Sequence, residues 1–352
     1  MPRFHLAGPW LLTSALACAA ALAQASAQAS AQAGAQVGPL TDADPRQETG
    51  SALKSSQVSL LEARRGFVTK LTEEARESQA LPVPPEGSDF AIVEYVAPVG
   101  KLSAYLCVPR SIPDARVPSE KGRTAIVWIT GGYPTARGGA YVFEKGPPEN
   151  DQSAAPFREA GIVMLFPTVR GTATNPGLQE GMFGEVDDVI AAGEYLRSVP
   201  GIDPERVYLG GHSTGGTLVL LVAESTDLFR ATFSFGPVGE LADYGGRTWT
   251  FDAGDEREWR LRSPLHYLGA ITAPTYVFEG DGGNIEDLVK LREGNGNPRV
   301  RMIDLEGADH FEALTPINRL LAEKIAAGHR GEFFLGAARA RAAYAKFASE
   351  RR

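Results

Sequence analysis

Ser213 stands in the pentapeptide Gly211-His212-Ser213-Thr214-Gly215, a G-x-S-x-G pattern that follows an apolar run, Val207 to Leu209, and precedes a helical run from about Thr217. Strand, tight turn and helix in that order hold a serine hydroxyl at the carboxyl edge of a sheet, beside a helix N-terminus that favours negative charge. A hydroxyl attacks a carbonyl only when a neighbouring base takes its proton. His310, in Gly307-Ala308-Asp309-His310-Phe311 after the apolar run Val300 to Leu305, is the base expected from chain order. His212 points away from its neighbour Ser213 because the two are adjacent in the turn, and His266 and His329 sit in unrelated contexts. The third member, a carboxylate to orient the imidazole, is expected after the run Thr275 to Phe278, where Asp281 is the first choice and Asn284, Asp287 and Glu240 are the alternatives.

Acyl transfer also needs donors for the developing oxyanion. The N–H of Thr214 is one, and the N–H of Tyr133, in Thr130-Gly131-Gly132-Tyr133-Pro134, is expected to be the other. The segment Gly239 to Arg262 interrupts the strand and helix alternation, and its Trp249 and Trp259 are expected either to line a substrate pocket or to form a small satellite core. Arg170, Asp187 and Asp188 read as structural, a loop arginine near carboxylates that suit a helix start. With no His-Glu-x-x-His and no Cys/His cluster at ligand spacing, neither metal nor cofactor is expected.

The elements that would position these groups follow from hydrophobic pattern. Ala125 to Ile129, Ile162 to Phe166, Val207 to Leu209 and Thr275 to Phe278 are short runs apolar on both faces, separated by helix-like segments such as Val186 to Leu196 and Thr217 to Glu224. That alternation predicts a mostly parallel, doubly wound α/β sheet with helices on both faces. Phe90 to Val96 and Leu102 to Val108, broken by Pro98 and Gly100, predict an antiparallel hairpin before it. Val58, Leu60, Leu61, Ala63, Phe67, Leu71 and Ala75 recur at helical spacing and predict an amphipathic helix ending before Pro82. Ile317 to Ala327 and Ala337 to Phe347 predict two terminal helices, the last with a solvated basic face.

Taken together, Gly131-Gly132-Tyr133-Pro134, Arg170-Gly171, Glu185-Val186-Asp187-Asp188-Val189, the elbow with Gly216, Ser263-Pro264-Leu265 and Gly-Ala-Asp-His-Phe resemble the catalytic domain of prolyl-oligopeptidase-like peptidases and the related dienelactone-hydrolase-like enzymes, from about Phe90 to Ala326. The resemblance implies the α/β-hydrolase fold, a Ser-acid-His triad containing Ser213 and His310, and cleavage of an ester or peptide acyl bond. No propeller accompanies it, and the family's usual acid spacing falls on Gly283 and Asn284. A catalytically weak binding protein with a degenerate acid position is therefore the competing expectation.

The chain has 352 residues, 43% of them hydrophobic, enough for a large core. Its 35 basic and 43 acidic side chains leave a formal charge of -8, which argues against nucleic acid as a partner and leaves a small ester or peptide. Arg3 and the apolar run through Trp10, Leu12 and Leu16 predict a signal peptide over residues 1–23, cleaved after Ala21-Leu22-Ala23, and hence a periplasmic or secreted protein without a transmembrane segment. Cys18 offers lipid anchoring instead, although Ala15-Leu16-Ala17 fits a lipoprotein signal poorly. Residues 24–50, rich in Ala, Gln and Ser, are expected to be a disordered leader, residues 51–335 the hydrolase domain with its N-terminal helix, and 336–352 a C-terminal helix.

Overall fold

A computed structural model describes residues 57–110, 122–245, 249–328 and 331–351, all within the unit from Pro45 to Arg352. The signal peptide at 1–23, the leader at 24–50 and Cys18 lie outside the described residues. Eight strands make one sheet: β1 (Phe90–Ala97), β2 (Gly100–Cys107), β3 (Arg123–Ile129), β4 (Val163–Pro167), β5 (Ile202–His212), β6 (Thr232–Phe235), β7 (Thr275–Gly282) and β8 (Val300–Asp309). Their order is β1-β2-β4-β3-β5-β6-β7-β8, with β1 and β2 antiparallel to each other, β2 antiparallel to β4, and every later pairing parallel. The expected hairpin and doubly wound sheet are both present, and the fold is that of an α/β-hydrolase.

Alternation along the central strands divides the core. Ala125, Val127 and Ile129 of β3 face one layer, where they meet Val186, Val189 and Leu196 of one helix and Leu218, Val219 and Val222 of another. Ile126 and Trp128 face the opposite layer, with Phe157, Leu314, Ile317 and Leu321. The helices are α1 (Leu60–Ala63), α2 (Ala155–Glu159), α3 (Glu185–Ser198), α4 (Thr214–Ala223), α5 (Glu256–Arg260), α6 (Ile285–Gly294), α7 (Leu314–Ala326) and α8 (Ala337–Ser349). Covering both faces lets every parallel strand be apolar throughout, as its sequence is. Cys107 lies buried in the second layer as a free thiol, pushed up to about 12 by burial. No helix among the described residues is long and apolar enough to cross a membrane.

The expected helix from Val58 to Ala75 is corrected to a single turn, α1, capped by the Ser59 hydroxyl accepting from the Glu62 N–H. Gly66 adopts φ +72°, which ends helical geometry, and the chain then runs as an extended strap. Leu71 bridges Phe251, the Thr72 N–H donates to the Thr250 carbonyl, the Gln179 N–H to Ala75 and the Glu77 N–H to Gly171. Helical spacing was fortuitous: Leu60 is buried in the first layer and Phe67 packs edge-on to Phe183 at 5.7 Å, but they do so from different backbone conformations. Arg64 sits over the Phe183 ring and forms a two-point pair with Asp187 at 2.8 and 3.1 Å. The other expected carboxylate, Asp188, is fully buried and receives the Arg170 backbone N–H, Nε and Nη2 at 2.8–2.9 Å.

Candidate active site

Strand register determines which residues share the carboxyl rim of the sheet. Ile129 pairs with Gly211, His212 with Phe235, and Phe235 with Phe278, so the next residues along β5, β6 and β7 (Ser213, Gly236 and Glu279) sit side by side, where β5 and β6 end and β7 runs on. This rim lies where β3 and β5 are neighbours although β4 intervenes in sequence, the crossover point at which open α/β sheets form their crevices.

Ser213 has φ +57° and ψ -121°, a conformation strained for a residue with a side chain, and it forms the first cap of α4. Its N–H donates to the Phe235 carbonyl at 2.7 Å and its carbonyl accepts from Thr217 at 2.9 Å, so the turn is held on both sides. Glycine is needed at 215 because a Cβ there would lie 2.3 Å from the Ile129 carbonyl oxygen. The Thr214 hydroxyl donates to the Gly132 carbonyl at 2.5 Å. That bond ties together the two segments from which Thr214 and Tyr133 were expected to offer their N–H groups.

His310 follows β8, and its Nδ1 lies 3.1 Å from Glu279 Oε2. Glu279 is buried, with its other oxygen accepting from the Gly280 N–H at 2.8 Å. Gly283 leaves room for this carboxylate, since a Cβ at that position would come within 2.3 Å of Oε1. Asp281 is corrected: it is exposed and its carboxylate accepts from the Gly307 N–H at 2.8 Å, away from the ring. Asn284 donates to the Gly236 carbonyl, Asp287 accepts from the Gly239 N–H, and Glu240 lines a separate cleft, so none of the alternatives meets the ring either. Burial pushes the Asp287 carboxyl up to about 6, with Asp243 nearby adding to the shift.

Glu279 was missed because the strand was expected to stop at Phe278, whereas β7 continues to Gly282. The signal was available: an ionisable residue directly after a run apolar on both faces is buried, and a buried carboxylate needs a donor.

His212 lies between these parts. It is 1% exposed; its Nε2 is 2.9 Å from the His310 carbonyl and its Nδ1 2.9 Å from Gln152 Nε2. Burial, with the His310 charge adding to it, pushes this imidazole down to about 3, so it is neutral at ordinary pH. Its ring centroid is 4.7 Å from that of His310 and 5.3 Å from that of Phe311.

The two tryptophans separate. Trp249 is 6% exposed and packs against Tyr133, Phe251 and Trp259 at 5.6–6.1 Å, which makes it core and corrects its expected place on a pocket wall. Trp259 is half-buried and borders a cleft of about 260 Å³ with Glu240, Ala242, Glu256, Arg260, Ser263 and His266. The segment is fastened to the elbow helix through Tyr244, whose hydroxyl is 2.8 Å from that of Thr217.

Fold and rim geometry together are those of an α/β-hydrolase. Residues 148–281 match the model of the prolyl oligopeptidase family, a stretch that holds Ser213 and Glu279 and ends before His310. The chain is similar in structure to a puromycin-hydrolyzing peptidase of Mycobacterium tuberculosis (TM-score 0.54, 21% identity, 71% of this chain and 42% of that one). It is similar also to the acylaminoacyl peptidase of Pyrococcus horikoshii (TM-score 0.52, 16% identity, 71% and 44%). The Pyrococcus furiosus esterase Pf2001 is matched over nearly its whole length (TM-score 0.52, 14% identity, 72% and 97%). The chain thus spans about two fifths of the length of the two peptidases. No curated protein is similar to it in sequence.

Proposed function

We propose that the protein hydrolyses a small ester or a short peptide acyl bond through an acyl-enzyme on Ser213. The observation that carries the reading is the buried Glu279 within hydrogen-bond reach of His310 at the rim that presents Ser213. Ser213 Oγ attacks the carbonyl carbon while its proton passes to His310 Nε2. Glu279 accepts the Nδ1–H, fixing the tautomer and stabilising the imidazolium that forms. The N–H groups of Thr214 and Tyr133 receive the oxyanion, and His310 returns the proton to the leaving group. Water then repeats the sequence on the acyl-enzyme.

A weak binding protein was the competing expectation because the loop from Gly280 to Asn284 lacked a suitable acid. Glu279, one residue earlier, supplies a carboxylate, so that motive is gone. The Arg3-led apolar run supports export to the periplasm or medium.

The test is covalent labelling of the purified protein with a fluorophosphonate, alongside turnover of a short-chain p-nitrophenyl ester. Both are expected in the wild-type protein and absent in Ser213→Ala. Equal labelling of that variant would remove Ser213 as the nucleophile.

A further inference from the structure

We infer that His212 is a positioning residue for catalysis, holding the His310 main chain at a fixed distance from the elbow that carries Ser213. The inference rests on the reading of Ser213 and His310 as nucleophile and base. A carbonyl oxygen can only accept, so at 2.9 Å from the His310 carbonyl His212 Nε2 must carry the hydrogen. In the neutral ring Nδ1 then accepts from the Gln152 amide nitrogen at 2.9 Å, which also reaches Asn150 Oδ1 at 2.8 Å, while Gln152 Oε1 lies 3.2 Å from the same Nδ1. Both nitrogens of the buried ring are therefore partnered.

His212 is the residue before Ser213 and the last residue of β5, so its backbone moves with the elbow. Its side chain ends on the main chain of a residue 98 positions away. One hydrogen bond thus joins the segments bearing the attacking hydroxyl and the accepting imidazole. The His310 ring lies 4.7 Å from that of His212 and 5.0 Å from that of Phe311, contacts that remove further freedom from it. Glu279 determines which way the His310 ring faces; His212 determines where the residue stands.

The experiment uses the full chain with His212→Leu, which keeps bulk and loses the donor, and His212→Gln, which retains an N–H where Nε2 stood. Rates of ester turnover and of fluorophosphonate labelling are expressed per titratable active site. His212→Leu is expected to lose about 10²-fold in kcat with little change in KM, the scale of a misplacement near 1 Å. His212→Gln is expected to recover most of that loss. A role in stability alone would lower the yield of active sites and leave the rate per site unchanged, and that result would overturn the inference, as would equal impairment of the two variants.

Long-range proton–nitrogen NMR of the histidine-labelled wild-type protein reads the contact without activity. His212 is expected as the Nε2–H tautomer, neutral at pH 5, and an Nδ1–H tautomer or a midpoint near 6 would overturn it. If that tautomer is found but the wild-type protein neither labels nor turns over ester, the proposed reaction is what fails, and the catalytic role fails with it.

Discussion

Glu279 Oε2 and His310 Nδ1 stand 3.1 Å apart, one from within β7 and the other just past the end of the adjacent parallel strand β8, the carboxylate buried and the ring partly exposed. One oxygen faces the imidazole while the other accepts from the Gly280 N–H. Glu279→Gln keeps shape but offers the wrong tautomer a partner, so ester turnover should fall on the order of 10⁴-fold. Asp281→Asn, which alters an exposed turn contact, should leave turnover essentially unchanged. Steady-state kinetics of the pair distinguishes the two acids, and a large loss in the Asp281 variant with none in the Glu279 variant would reverse the assignment.

Gly236 has φ +58°, and a Cβ there would lie 2.5 Å from His310 Cε1 and 2.8 Å from Glu279 Oε2. Gly236→Ala should therefore displace the base. The left-handed conformation costs about 1–2 kcal/mol. Rate per folded molecule should fall on the order of 10²-fold. Activity retained in full by a folded Gly236→Ala protein would show that His310 works from another position.

Glu185, in the first turn of α3, lies beside Tyr133, Pro134 and Thr135 with Oε2 buried and unpartnered. Burial, reinforced by Glu180, pushes its carboxyl from 4.5 to about 7. The fold accommodates the protonated form, so its contribution is complete below pH 4.5 and is lost as pH rises through about 7. In urea unfolding Glu185→Gln should match the wild type at pH 4 and exceed its stability at pH 8, by up to about 3 kcal/mol. Equal stability differences at both pH values would contradict this.

Arg170 meets Asp188 through two parallel bonds of 2.9 and 2.8 Å and reaches Glu180 at 2.6 Å. Asp188 is fully buried, so Arg170→Met strands a charge. Urea unfolding should show a loss of about 3–5 kcal/mol. Removing both partners in Arg170→Met/Asp188→Leu should recover part of it, and a single variant as stable as wild type would mean that Asp188 finds another donor.

How much could be read in advance differs by element. The parallel strands were legible because full burial leaves a continuous apolar run, as in Ala125 to Ile129. The Gly-His-Ser-Thr-Gly turn was legible because steric crowding dictates its glycines. Glu279 was not, since its place depends on where β7 ends, and strand ends are determined by partners rather than by local sequence. The 58–75 segment misled because helical spacing and an extended strap over curved side chains can both bury every third or fourth residue. Trp249 was ambiguous for a different reason: an aromatic ring serves a core and a pocket equally well, and only Tyr133 and Phe251 beside it decide.

The strap has a practical corollary for anyone preparing the protein. Inside the domain, Glu258 takes hydrogen bonds from the Thr69 hydroxyl at 2.9 Å and the Lys70 N–H at 2.7 Å while also pairing with fully buried Arg262. A clone begun at Leu81, just ahead of the first sheet strand, would discard both donors together with the Arg64 and Asp187 clasp. A fragment that keeps these contacts therefore starts no later than Ser59, and proteolysis between Gly66 and Ala80 is expected to act by unseating the segment around Trp259 rather than by reaching the serine.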